Sequence, residues 1–184
     1  MKKRLFSILF PFFLVLMLSG CGSLGEKTSN LQLVFSSSYH LDLPVSFFQN
    51  TKIAKASDII LKFDDEAYVS FGIITRDLEG LDTSFDLLLY PEFILGVKAP
   101  HSVSERSKKK FIASYNVYKY RLGGFHIEKK EFNEVYIFLA KGDNQSVAFV
   151  VNKIEPSQVL VIDFNAVSDS RMETILKGLR HNAD

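Results

Sequence analysis

The clearest structural signal in this chain is the stretch Val135-Tyr-Ile-Phe-Leu-Ala140, followed by Val147-Ala-Phe-Val-Val-Asn152 and Val159-Leu-Val-Ile-Asp-Phe164. All three runs are rich in β-branched and aromatic residues, which favour a pleated sheet. Gly142-Asp-Asn144 and Pro156-Ser157 separate the runs, and such residues typically form the turns between strands. The sequence therefore predicts three consecutive strands of an antiparallel meander.

The strand pattern extends toward the N-terminus. We expect two more strands of the meander at residues 117–122 and 125–132, on either side of Gly123-Gly124. Residues 59–63 and 67–75 are a further pair of apolar segments, and the acidic connection between them, Asp64-Asp65-Glu66, is typical of a hairpin turn. Carboxylates also suit calcium, but the connection lacks the ligand spacing of a calcium loop, so a solvated turn is favoured.

One more strand is predicted before Pro44, where apolar and polar residues alternate with a period of two. Its apolar positions are Leu33, Phe35, Tyr39, Leu41 and Leu43, and its polar positions are Ser36, Ser38, His40 and Asp42. We therefore expect His40 to point away from the core.

Three helices are predicted. The C-terminal helix begins near Ser170, because Ser170 and Glu173 have the spacing of a capping box and an apolar stripe follows. The stripe consists of Met172, Ile175, Leu176 and Leu179. A second helix is expected at residues 84–90, before Pro91, and a third from Ser104 through residues 108–110.

The order strand, hairpin, helix, meander, helix predicts an α+β domain. We expect an antiparallel sheet of about six to eight strands with helices packed on it, one of them C-terminal. Tyr39-His-Leu-Asp-Leu-Pro44 resembles the opening strand of PsbP/Mog1-like domains, and the order of elements over residues 31–179 extends that resemblance. The resemblance implies a fold that mainly serves docking and assembly, and it brings no catalytic residues.

The N-terminal segment has the pattern of an export signal. Lys2, Lys3 and Arg4 are followed by the uncharged, mostly apolar residues 5–18. This run of about 14 residues is shorter than the roughly 20 that a helix needs to cross the hydrocarbon core of a bilayer, and it contains Pro11. A cleaved signal peptide is therefore favoured over a membrane-spanning helix.

Leu18-Ser19-Gly20-Cys21 resembles the lipobox of bacterial lipoprotein precursors. The resemblance implies that residues 1–20 are removed and that the thiol of Cys21 carries diacylglycerol, with an acyl chain such as palmitate on the new amine. Residues 21–31 then form a flexible tether, and residues 32–184 a single α+β domain. Gly22 stands where aspartate commonly retains such proteins in the inner membrane, so the resemblance favours the outer membrane, facing the periplasm, if the organism has two membranes.

The charge balance argues against nucleic acid as a partner. The chain contains 22 basic and 21 acidic residues, and residues 1–20 contain three basic residues and no acidic ones. Cleavage would leave a net charge near −2, without the basic excess that nucleic-acid binding requires.

No motif for catalysis, a metal or a cofactor is recognisable in the sequence. The four histidines, His40, His101, His126 and His181, are scattered, and His126-Ile-Glu128 lacks the cysteine pair of a zinc deaminase. The apolar residues of segment 85–95 exceed what one helical face can bury. Core burial accounts for most of them, and any exposed surplus, at Leu87, Tyr90 and Ile94, would mark a partner-binding site. Lys108-Lys-Lys110 is either a solvated face or a contact for anionic lipid.

These observations leave three functions open. A membrane-anchored, non-catalytic lipoprotein that docks onto another envelope protein is the leading hypothesis. The alternative is a carrier of a small ligand or lipid, which needs a cavity between sheet and helix. Its lining residues would be Phe71, Ile73, Tyr118 and Phe138. A hydrolase is a distant third.

Overall fold

The computed structural model describes residues 29–101, 103–132 and 134–182, which form two antiparallel sheets and four helices. The predicted α+β class is confirmed. The predicted signal peptide, Cys21 and most of the tether lie outside the described residues. The last two residues of the predicted tether, Asn30 and Leu31, already pair with a neighbouring strand, so regular structure begins two residues earlier than expected.

The ten strands follow the chain in order. They are β1 (Asn30–Val34), β2 (Tyr39–Pro44), β3 (Lys52–Lys55), β4 (Ile59–Lys62), β5 (Tyr68–Ile74), β6 (His126–Phe132), β7 (Val135–Lys141), β8 (Gln145–Asn152), β9 (Val159–Asn165) and β10 (Leu179–His181). The helices are α1 (Arg76–Glu79), α2 (Tyr90–Ile94), α3 (Glu105–Leu122) and α4 (Asp169–Gly178), with short 3₁₀ turns at Val45–Phe48 and Leu87–Leu89.

The large sheet has the strand order β3-β4-β5-β9-β8-β7-β6, and the small sheet has the order β1-β2-β10. The meander from β6 to β9 is confirmed, as is the hairpin of β4 and β5. Strand β5 pairs with β9, which attaches the N-terminal hairpin to the edge of the meander. The last strand, β10, pairs with β2, so the C-terminal segment closes the small sheet.

Both faces of the large sheet are covered. Ile137 and Leu139 of β7 pack in one core, against the small sheet and α4, whereas Phe138 and Ala140 pack in a second core, against α3 and the segment that includes α2. Because successive residues of a strand point to opposite faces, a sheet that is buried on both sides has apolar residues at every position. This explains the continuous apolar runs of β7, β8 and β9.

The predicted strand at residues 117–122 is wrong, because these residues form the last turns of α3. The helix begins after Ser104, whose hydroxyl accepts a hydrogen bond from the backbone N–H of Ser107 (3.4 Å), and it ends at Gly123, which has a left-handed conformation (φ 68°). Tyr118 stacks edge-on against Phe149 of the sheet at 5.5 Å. The β-branched and aromatic residues favour a strand locally, but the contacts with the sheet stabilise the helix.

The helix predicted at residues 84–90 is shifted. Leu87–Leu89 form a 3₁₀ turn, and α2 follows with Pro91 in its first turn, where a residue without an N–H is tolerated. The C-terminal helix is confirmed, although Ser168 rather than Ser170 caps it by accepting a hydrogen bond from the N–H of Arg171. Leu179, the last residue of the predicted stripe, belongs to β10.

Candidate docking surface

The predicted partner-binding residues do not lie at the surface. Leu87, Tyr90 and Ile94 are 0%, 2% and 3% exposed, so the prediction that this segment presents an apolar patch is wrong. The ring of Tyr90 lies 5.8 Å from that of Phe111 in α3 and 6.2 Å from that of Phe149 in β8. The segment is enclosed between α3 and the large sheet, so it is buried on more than one side and has no apolar surplus.

The four residues expected to line a carrier cavity do not come together, although Tyr118 lines a groove of about 390 Å³ with Ile74, Tyr90 and Ile94. Phe71 and Ile73 pack in the core on the side of the small sheet, whereas Tyr118 and Phe138 pack in the core on the side of α3. The large sheet separates the two pairs, so they cannot line one cavity. The side chain of Phe138 is 2% exposed and packs beneath the helix.

The acidic turn between β4 and β5 is held by a protein contact. Asp65 accepts a hydrogen bond from the Arg171 guanidinium (2.8 Å) and another from the backbone N–H of Ala67 (3.3 Å). The hydrogen bond with Arg171 lowers the pKa of the Asp65 carboxyl group. Arg171 also lies over the ring of Phe63, 4.2 Å from its centroid, so the turn connects the hairpin to α4.

The histidines do not converge. His40 lies on β2, His126 on β6 and His181 on β10, while His101 lies in the loop before α3. Across residues 29–101, 103–132 and 134–182, no three histidine, cysteine or acidic side chains are close enough together to hold a metal ion. None of the helices in these ranges is long and apolar enough to cross a membrane.

The exposed apolar surface of the helical layer lies on α3. Ile112, Val117 and Tyr120 are 49%, 61% and 90% exposed. Tyr120 lies opposite Phe111 and Leu122, which pack in the core, whereas Ile112 and Val117 lie on the two flanks of the exposed side. We call this side, with Lys109, Ile112, Val117 and Tyr120, the outer face of α3.

The same helix is strongly basic. It contains six basic residues and one acidic residue. Three of the cations form ion pairs at its flanks: Lys108 with Glu105 (3.4 Å), Lys110 with Glu79 (2.9 Å) and Arg121 with Asp163. Within the described residues, the other three form no ion pair with the protein. These are Arg106, Lys109 and Lys119.

The groups beneath α3 are held in their neutral forms. Burial raises the pKa of Tyr118 to about 12, and it also raises the pKa of Tyr90. The guanidinium of Arg121 lies over the ring of Tyr118, 4.8 Å from its centroid. These contacts hold the last turns of α3 against the sheet.

The outer face could have been found in the sequence. Phe111, Tyr118 and Leu122 have the spacing i, i+7 and i+11 of a helical stripe, and Gly123 follows as a helix C-cap. Because residues 117–122 are interpreted as a strand, this helical stripe is not recognised. The exposure of Val117 and Tyr120 on the helix is therefore not predicted.

Comparisons with known proteins add no relative. No protein-family model matches the chain, and a comparison with curated proteins gives no match either.

Proposed function

We propose that this chain is a non-catalytic lipoprotein of the bacterial envelope that docks onto another envelope protein through the outer face of α3. The observation that carries the docking surface is the exposure of Tyr120, with Val117 one turn before it and Ile112 on the other flank, on a helix that packs on the core through Phe111 and Leu122. Tyrosine is enriched among the residues that contribute most to protein interfaces, because it buries a large area with little loss of entropy.

The partner on this surface is acidic. The outer face carries Lys109, and Arg106 and Lys119 flank it without ion pairs among the described residues. Charges of one sign favour a partner of the opposite sign and accelerate its association, and this contribution weakens with salt because the Debye length falls to about 8 Å at physiological ionic strength.

The position of the N-terminus supports a protein partner over a lipid surface. The described chain begins at β1, in the small sheet, and Leu33 of β1 packs in the core on the side of the large sheet opposite α3. A tether from Cys21 to Ser29 reaches about 26 Å at about 3.3 Å per residue. With the attachment on the side of β1, the outer face of α3 is accessible to proteins of the compartment.

The anchor rests on Leu18-Ser19-Gly20-Cys21. In this proposal, Cys21 carries the lipid and the domain remains at the membrane without a spanning helix, on the periplasmic side of the outer membrane if the organism has two membranes. Two or three acyl chains suffice for stable anchoring, since each buried methylene contributes about 0.8 kcal/mol. The PsbP/Mog1-like resemblance belongs to the same proposal, since that fold mainly serves docking.

The docking surface is tested with the double variant Val117→Ser, Tyr120→Ser. A photo-crosslinking amino acid at Asn116, next to these residues, captures the partner in intact envelopes. We expect the double variant to lose most of this crosslink while its thermal midpoint stays near that of the parent, because both side chains are exposed. The crosslink of the parent should weaken as salt increases.

The matched control is Ile154→Ser, in the turn between β8 and β9. Ile154 is 72% exposed, so the substitution removes a comparable apolar side chain from a surface outside α3. The control should retain the crosslink. An undiminished crosslink in the double variant, or an equal loss in the control, would contradict the assignment of the surface.

The anchor is tested separately. Cys21→Ser should abolish incorporation of radioactive palmitate and prevent processing by the lipoprotein signal peptidase. Unchanged labelling of this variant would remove the anchor from the proposal and leave the docking surface to be judged on the crosslinking result.

A further inference from the structure

One end of the large sheet carries polar side chains on the face that α3 covers elsewhere. Tyr68 of β5 pairs with Asn165 of β9, which pairs with Gln145 of β8, so these three form one row across the sheet. Two positions along the strands, Ser70 pairs with Asp163 in the next row of the same face. We call these five residues the polar rows.

The polar rows coincide with an opening between helix and sheet. Arg121, in the last turn of α3, forms an ion pair with Asp163, and a groove of about 240 Å³ lies between Arg121 and the polar rows. The following row of the same face holds Val161 and Phe149, which are buried. The strands therefore change from apolar to polar where the helix ends and the groove begins.

Most of the hydrogen-bonding capacity of the groove is unused by the protein. In the part of the chain that the structure describes, Arg121 donates a hydrogen bond to Asp163, and the side chains of the other four members of the polar rows make no hydrogen bond to the protein. Amide and hydroxyl groups both donate and accept hydrogen bonds. The groove thus presents donors and acceptors at neighbouring positions of a rigid sheet.

The charges of the groove argue against an anionic ligand. Arg121 is paired with Asp163, and the nearby carboxylate of Asp58 also acts on Asp163, so no excess positive charge remains to bind a phosphate. Burial raises the pKa of Asp163, and the Arg121 guanidinium opposes this shift. A carboxylate in such a partly desolvated position is a strong acceptor for a hydroxyl donor.

We propose that the groove between Arg121 and the polar rows binds a saccharide. Neighbouring hydroxyl groups of a sugar match the amides of Gln145 and Asn165 and the carboxylate of Asp163, while the ring of Tyr68, 39% exposed, offers an apolar surface for the sugar ring. This site is distinct from the outer face of α3, and it does not depend on the lipid anchor.

The test uses the full chain, purified in detergent, and a defined set of probes: chitotetraose, cellotetraose, maltotetraose and mannotetraose. Saturation-transfer NMR and calorimetry should show that at least one probe binds with a Kd of about 1 mM or tighter. Tyr68→Ala and Asn165→Ala should each weaken that binding about tenfold, since each removes a direct contact to the ligand. Ser70→Ala serves as a third variant if either of these fails to fold.

The matched controls are Tyr120→Ala and Asn116→Ala, which remove the same residue types from the exposed side of α3. Both should bind the probe as the parent does. The proposal is overturned if no probe binds at about 10 mM, if the polar-row variants bind as tightly as the parent, or if the controls weaken binding equally.

Discussion

Replacing Gly178 by alanine tests how closely α4 packs on the small sheet. A Cβ atom on Gly178 would lie 2.5 Å from Cδ2 of Leu43, 2.9 Å from its Cγ atom and 3.0 Å from the carbonyl oxygen of Asp42. Carbon atoms in contact normally lie about 3.5 to 4.0 Å apart. Leu43 is buried in the core and the carbonyl belongs to the backbone of β2, so neither can move into solvent. Alanine therefore forces α4 away from β2.

Two effects of opposite sign determine the result. Alanine is favoured over glycine inside a helix by up to about 1 kcal/mol, but Gly178 is the last residue of α4, where this gain is smaller. An extra methyl group in a well-packed core costs about 1 to 3 kcal/mol. The steric cost exceeds the gain, so we expect Gly178→Ala to lower the free energy of unfolding by about 1 to 2 kcal/mol.

Urea denaturation followed by circular dichroism measures this change as a lower midpoint at an unchanged slope. In a Leu43→Ala background the methyl group has room, so Gly178→Ala should cost less there, with a coupling of about 1 kcal/mol between the two sites. If Gly178→Ala were as stable as the parent or more stable, the close approach of α4 to β2 would be refuted.

Three further predictions concern the same domain. Leu176→Ala should lower the free energy of unfolding by about 2 to 5 kcal/mol, because it removes buried apolar surface and leaves a cavity. In a denaturant titration, the control Lys177→Ala, at an exposed neighbouring residue, should change this free energy by about 0.5 kcal/mol or less. Burial raises the pKa of Tyr39 to about 12, whereas a tyrosine in the unfolded chain titrates at about 10. The stability that Tyr39 contributes is therefore fully present below pH 10 and is lost as the pH rises from about 10 to about 12. Between about pH 10 and 12 the free energy of unfolding should decrease less steeply for Tyr39→Phe than for the parent, by about 1.4 kcal/mol per pH unit. Equal slopes would show that Tyr39 ionises freely in the native state. Arg171→Ala should let the pKa of the Asp65 carboxyl group rise toward its usual range, which NMR titration would detect; a constant value would mean that the hydrogen bond does not cause the shift.

The candidate sites could be predicted from the sequence only in part. Segment 85–95 carries more apolar residues than one helical face can bury, which predicts exposure of Leu87, Tyr90 and Ile94, but the segment is enclosed by both α3 and the sheet. The polar rows were not recognisable, because Tyr68 and Asn165 are far apart in the chain and come together only through the pairing of β5 with β9.

The elements with a local signal follow from the amino-acid sequence alone. The meander of β7, β8 and β9 and the C-terminal helix α4 follow from apolar periodicity and turn residues, which act over a few neighbouring positions. The helical conformation of residues 117–122, and the elements that pack on each face of the large sheet, depend on tertiary contacts. Intrinsic propensities differ by less than about 1 kcal/mol per residue, whereas burying a large side chain contributes about 1.5 to 3 kcal/mol, so the contacts of Tyr118 and Leu122 with the core outweigh a local preference for a strand.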